Sequence, residues 1–138
     1  MIINKILKGK KIAIIEDNII NMAVFTALVN KHGGQVIQDP WNRNPAHVLR
    51  ENLPIDLVLL DIMLPGRSGY EVIGSLKQTQ DLKDIPVIAI SSLDPATEIP
   101  KAKEAGFSGF ISKPINANKL PDQLAQCLSG QQIWVTGR

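Results

Sequence analysis

Five short aliphatic runs recur along the chain: KIAII from Lys11, GQVIQ from Gly34, IDLVLL from Ile55, PVIAI from Pro86 and FSGFI from Phe107. Three of them are apolar nearly throughout, as strands covered on both faces of a parallel sheet must be. Longer amphipathic stretches separate them, so the alternation predicts a (βα)5 chain with right-handed crossovers and helices on both faces of a five-stranded parallel sheet. In sheets of this kind ligands bind beyond the carboxyl ends of the strands. Function is therefore to be sought where the strands stop.

The intervening stretches carry helix punctuation. Asn18 is placed to cap a helix with Ile20, Ala23, Val24, Ala27 and Leu28 as its apolar stripe. Lys31, His32 and Gly33 suit its exit. Asn44 and Pro45 open a second helix, and Pro54 stops it. Ser68 and Glu71 have capping-box spacing ahead of Val72, Ile73 and Leu76. A fourth helix is expected between Asp94 and Ala105, and a fifth carries Leu120, Leu124 and Leu128, with Pro121 tolerable in its first turn.

A chain of 138 residues with this much apolar sequence makes one domain. Residues 1–10 are an N-terminal extension whose lysines read as a solvated tail, 11–129 the domain, and 130–138 a C-terminal tail. The single Cys127 precludes an internal disulfide and is expected to fill a helix's apolar face. No segment has the length to span a membrane or the plan of a signal peptide, so a cytoplasmic protein with no membrane association is expected. A net charge of +2 is too mild to argue for nucleic acid.

At the strand ends stand Glu16-Asp17, Asp61, Ser91-Ser92 and Ser112-Lys113-Pro114. Each has an ordinary explanation: acids at a helix start, a turn residue before Pro65-Gly66, a strand-end cap, a solvated lysine. Four such coincidences at converging strand ends are another matter. If the strand order is 2-1-3-4-5, strands 1 and 3 lie about 4.8 Å apart, and their terminal carboxylates share a pocket. Three acids this close do not all stay ionised without a cation. Lys113 offers one charge; oxygen ligands without His or Cys point to Mg2+.

The sequence resembles a response-regulator receiver domain of two-component signalling from about Lys11 to Leu128. The resemblance rests on IIEDN, on LVLLDIMLPGRSGYEV around Asp61, on PVIAISS and on AGFSGFISKP. It implies a doubly wound, flavodoxin-like fold of order 2-1-3-4-5, and a signalling switch rather than an enzyme. It implies that Asp61 accepts a phosphoryl group from a histidine kinase or histidine phosphotransfer protein. Glu16, Asp17, Asp61 and the backbone carbonyl of Met63 would hold Mg2+. Lys113 and Ser91 would contact phosphoryl oxygens, and the Lys113-Pro114 bond would be cis. Phe110 either packs in the core or serves with Ser91 as the switch that alters the helix 4, strand 5 and helix 5 surface for a downstream protein.

Some features depart from that pattern. Pro100 in the fourth helix favours a late start, with Asp94 to Ile99 as a loop. The stretch DPWNRNP from Asp39 predicts a bulky loop, and Met63 and Leu93 are apolar residues near the expected phosphoryl site. Ile133, Trp134 and Val135 are too apolar for a solvated end; they pack on the domain or mediate a homodimer. The chain reads as a single-domain regulator or an excised receiver, Met1 favouring the former. A receiver-fold interaction module that never takes phosphate is the rival reading. An aspartyl-phosphate hydrolase is a poor one, because Met63 stands where a second Asp is needed.

Overall fold

The computed structural model describes residues 5–41 and 43–135. The first four residues of the extension, Asn42 in the loop after Asp39 and the last three residues of the tail lie outside the described residues. In chain order the elements are β1 (Lys11–Ile15), α1 (Ile19–Lys31), β2 (Gln35–Asp39), α2 (Pro45–Glu51), β3 (Leu57–Asp61), β4 (Met63–Leu64), β5 (Arg67–Ser68), α3 (Gly69–Lys77), β6 (Val87–Ser91), α4 (Pro95–Ala105), β7 (Gly109–Ser112), α5 (Leu120–Leu128) and β8 (Ile133–Val135). The main sheet runs β2-β1-β3-β6-β7-β8 and every pairing in it is parallel. Strands β4 and β5 form a separate antiparallel hairpin just past β3.

The order is thus 2-1-3-4-5 with one strand more than expected. Ile133–Val135 of the C-terminal tail pack on the domain as β8, a sixth strand. Alternate residues of β3 feed two cores: Val58 and Leu60 join Leu49, Val72, Ile73 and Ala102 of α2, α3 and α4. Leu57 and Leu59 join Phe25, Val29, Leu120 and Leu124 of α1 and α5. A strand buried on both faces needs apolar residues at every position, which is why the run from Leu57 to Leu60 has no polar break. The N-terminal lysines are exposed as expected, but Leu7 between them is fully buried and its N–H donates to the His32 carbonyl at 2.9 Å.

Two helices correct the sequence reading. Helix α1 buries Met22, Phe25 and Val29, whereas Ile20, Ala23, Val24 and Ala27 of the expected stripe face solvent and Leu28 is half-buried. Apolar residues surround this helix almost completely, so periodicity left two candidate stripes, and the bulkier one with Phe25 and Met22 took the core. Helix α4 begins at Pro95 rather than near Pro100. The Asp94 side chain caps it by accepting from the Ala96 N–H at 3.1 Å, and Gly106 closes it at φ +96°. Those caps and the burial of Glu98 and Ala102 hold the helix together around Pro100. The capping box of Ser68 and Glu71 forms as expected.

Candidate acidic site at the strand ends

Parallel register sets the site. Ile15 pairs with Leu60 across β1 and β3, which leaves Glu16 beside Asp61 one step further on. Ser91 pairs with Ser112 across β6 and β7, and Lys113 follows directly, its N–H donating to the Ser91 carbonyl at 2.8 Å. Four strands thereby deliver the residues expected at their ends to one edge of the sheet.

There, one carboxylate oxygen from each of Glu16, Asp17 and Asp61 lies within 4.8 Å of the others. Glu16 and Asp61 are buried at 2% and 6% exposure, while Asp17 opens to solvent. The ammonium of Lys113 lies 3.3 Å from Glu16 Oε1 and 3.3 Å from Asp61 Oδ2. The other oxygen of Asp61, Oδ1, accepts from the Met63 N–H at 3.0 Å. Burial is the main reason that the Glu16 carboxyl is pushed above its ordinary value, with Asp61 adding to it; Lys113 and the Asn18 N–H pull the other way. One ammonium among three carboxylates leaves the pocket overcharged. An all-oxygen donor set with surplus negative charge fits a hard divalent cation.

Ser91 is fully buried, and its Oγ accepts from the Leu93 N–H at 3.0 Å. Phe110 is fully buried in the same core as Val87 and Ala102, one strand in from Trp134. The Lys113-Pro114 bond is cis, as the family resemblance implies, and so is Leu53-Pro54, which was not anticipated. In the loop after Asp39, Trp41 and Arg43 both have positive φ, and the Trp41 indole N–H donates to the Pro65 carbonyl at 2.8 Å, bracing the hairpin beside the site.

Sequence reasoning missed two further residues. Tyr70 of α3 donates to Glu98 Oε1 of α4 at 2.8 Å, and its ring meets Phe107 edge-on with centroids 6.0 Å apart. Both residues line a groove of about 640 Å3 that runs past Met63 and Leu93 to Asp17. A contact between two helices leaves no periodic trace in either one.

A sequence profile described as "Response regulator receiver domain" matches residues 12–125. The polar-differentiation response regulators DivK of Brucella ovis and of Brucella anthropi are each 34% identical over 119 residues, covering 86% of this chain and 96% of theirs. In structure, the signal receiver domain of a histidine kinase from Syntrophus aciditrophicus is similar at TM-score 0.78 and 28% identity, covering 88% of this chain and 92% of that one. The Vibrio cholerae chemotaxis protein CheY4 shares the fold at TM-score 0.78 and 18% identity, covering 85% and 97%.

Proposed function

The chain belongs to the response-regulator receiver domain family of two-component signalling, and from that premise we propose that Asp61 is its phosphoacceptor. In transfer from a phosphohistidine, an Asp61 carboxylate oxygen attacks phosphorus, the N–P bond breaks, and the histidine nitrogen departs with the bonding pair. The product is an acyl phosphate on Asp61. Glu16, Asp17, Asp61 and the Met63 carbonyl would hold Mg2+, which when bound neutralises charge on the transferring group. Lys113 pairs with a phosphoryl oxygen. The Ser91 hydroxyl keeps its proton to donate to another, since among the described residues its oxygen is engaged as an acceptor from the Leu93 N–H.

The observation that carries this reading is Lys113 Nζ poised 3.3 Å from both Glu16 and Asp61. An ammonium carries three donors, and with Glu16 and Asp61 on two of them the third is available to a further anion such as a phosphoryl oxygen.

The donor is a histidine kinase or a histidine phosphotransfer protein in the cytoplasm. Exposed apolar side chains support its docking at the mouth of the site: Ile19 is 85% exposed, Ile20 73% and Met63 57%. The phosphorylated state acts through Ser91 and Phe110 on α4, β7 and α5 to change the binding of a downstream protein. The chain is a switch that assists its own phosphorylation and dephosphorylation.

Intact mass after incubation with acetyl phosphate and Mg2+ tests the assignment. One phosphoryl group should be gained by the wild type and by neither Asp61→Asn nor a sample in EDTA. An adduct that persists in Asp61→Asn removes Asp61 from the role. No adduct, together with no beryllofluoride binding, leaves the phosphate-independent module as the reading.

A further inference from the structure

Strand β8 covers an edge that the receiver fold would otherwise leave open, and β7 is shaped to take it. A Cβ on Gly109 would stand 2.7 Å from the carbonyl oxygen of Ile133 and 3.4 Å from its Cβ, so β8 sits closer than any residue with a side chain would allow. The Ile133 N–H donates to the Ser108 carbonyl at 3.2 Å. Ile133 is buried with Leu120, Leu124 and Cys127 of α5. On the opposite flank, Lys103 of α4 holds its ammonium 5.1 Å from the centre of the Trp134 ring. Tail and domain therefore meet on both helices that border β7.

The attachment is also slight. β8 has three residues, of which Trp134 and Val135 are only half-buried, and Gly130 at φ +100° marks the break after α5. Short edge elements with few buried contacts open at small free-energy cost, while the central strands stay closed. Parallel pairing leaves the backbone of every second residue pointing outward; here that residue is Trp134, because Ile133 faces β7.

We propose that the outer edge of β7, between α4 and α5, is a strand-accepting slot that the chain fills in cis with Ile133–Val135. A partner that engages this edge must donate an apolar extended segment, run parallel to β7 and displace β8. Gly109 is the residue that selects for a strand here, and Lys103 selects for an aromatic side chain at its second position. The inference rests on strand packing and stands or falls independently of the chemistry at Asp61.

The test uses the full chain and a fluorescein-labelled peptide, GQQIWVTGR, as the probe. The double variant Ile133→Asn, Trp134→Ala weakens the resident strand. It should bind the peptide saturably by anisotropy, about tenfold or more tighter than the wild type, whose slot is occupied. Adding Gly109→Ala to that variant should abolish binding, because the new Cβ meets the incoming strand as it would meet β8. Refusal of the peptide by the double variant, equal binding by the wild type, or indifference to Gly109→Ala would each overturn the proposal. Should the double variant not fold, hydrogen exchange on Lys103→Ala decides. The Ile133 and Val135 amides should exchange several-fold faster while those of β6 are unchanged; β8 amides that exchange only with β6 make the strand integral and refute the slot.

Discussion

The hydroxyl of Tyr70 donates to Glu98 across 2.8 Å and so ties the start of α3 to a carboxylate buried on α4. Burial first, and the neighbouring carboxylate second, favour the neutral phenol, so its ionisation is pushed well above the ordinary value of 10.0. An unfolded chain releases that proton near pH ~10, while the folded one still holds it. Stability should therefore fall as the pH rises from there toward the folded-state value. Tyr70 is the single tyrosine of the chain, so near-ultraviolet tyrosinate absorbance reads it alone. Ionisation should begin only well above the usual range, and Glu98→Gln should bring it back down. A midpoint at the ordinary phenol value in the folded wild type would refute the coupling.

The crowding of Glu16, Asp17 and Asp61 around one lysine predicts a stability effect of opposite sign to that of most buried substitutions. In EDTA, Asp61→Asn removes a like charge beside Glu16 and should stabilise the fold by about 1 kcal/mol, or roughly 3–4 °C in Tm. Mg2+ held by these carboxylates would supply the missing positive charge, so it should raise the Tm of the wild type more than that of the variant. Thermal unfolding with and without the ion measures both. A variant less stable than the wild type in EDTA would mean that the pocket is balanced as it stands.

What was legible in the sequence follows from where its information is local. The run from Leu57 to Asp61 reads as a doubly buried strand ending on an acid, and its place beside Glu16 follows from parallel register. Helix α1 misled because it is apolar on two stripes, and side-chain volume against the sheet, invisible to periodicity, chose between them. Pro100 misled in the other direction: its local cost is real, but caps at Asp94 and Gly106 and burial on β7's flank outweigh it. The tail's apolar character was visible while its destination was not, since nothing local says that Gly109, some two dozen residues earlier, leaves room for it.

Gly69 closes the hairpin against the end of β3. A Cβ there would lie 2.7 Å from Ile62 Cα and 2.8 Å from the Asp61 carbonyl oxygen, both backbone atoms. Gly69→Ala must therefore move the peptide that carries Asp61, the proposed phosphoacceptor. It should cost about 2 kcal/mol in urea unfolding and slow labelling by acetyl phosphate by roughly tenfold or more. Gly74, in the exposed middle of the same helix with nothing within 4 Å of its added Cβ, is the control. There Ala should stabilise by about 0.5–1 kcal/mol and leave labelling unchanged. Equal effects at the two positions would show that contact with the strand end is not what matters.

Pro100 sits exposed inside α4, where its missing N–H leaves the Ala96 carbonyl without the helical donor four residues on. Pro100→Ala restores that bond and relieves the ring's clash with the same carbonyl, against an interior-proline cost of about 3 kcal/mol. Part of the gain is lost because alanine frees the unfolded chain, by about 0.4–1 kcal/mol. A net stabilisation of about 1–2 kcal/mol is expected, seen as a higher urea midpoint at unchanged slope. The amides of α4 should exchange more slowly as well, since the helix then opens less often. The same stiffening should oppose rearrangement of the α4, β7 and α5 surface, so beryllofluoride should bind Pro100→Ala more weakly than the wild type although the carboxylates are untouched. Unchanged affinity with slower α4 exchange would separate α4 from the switch.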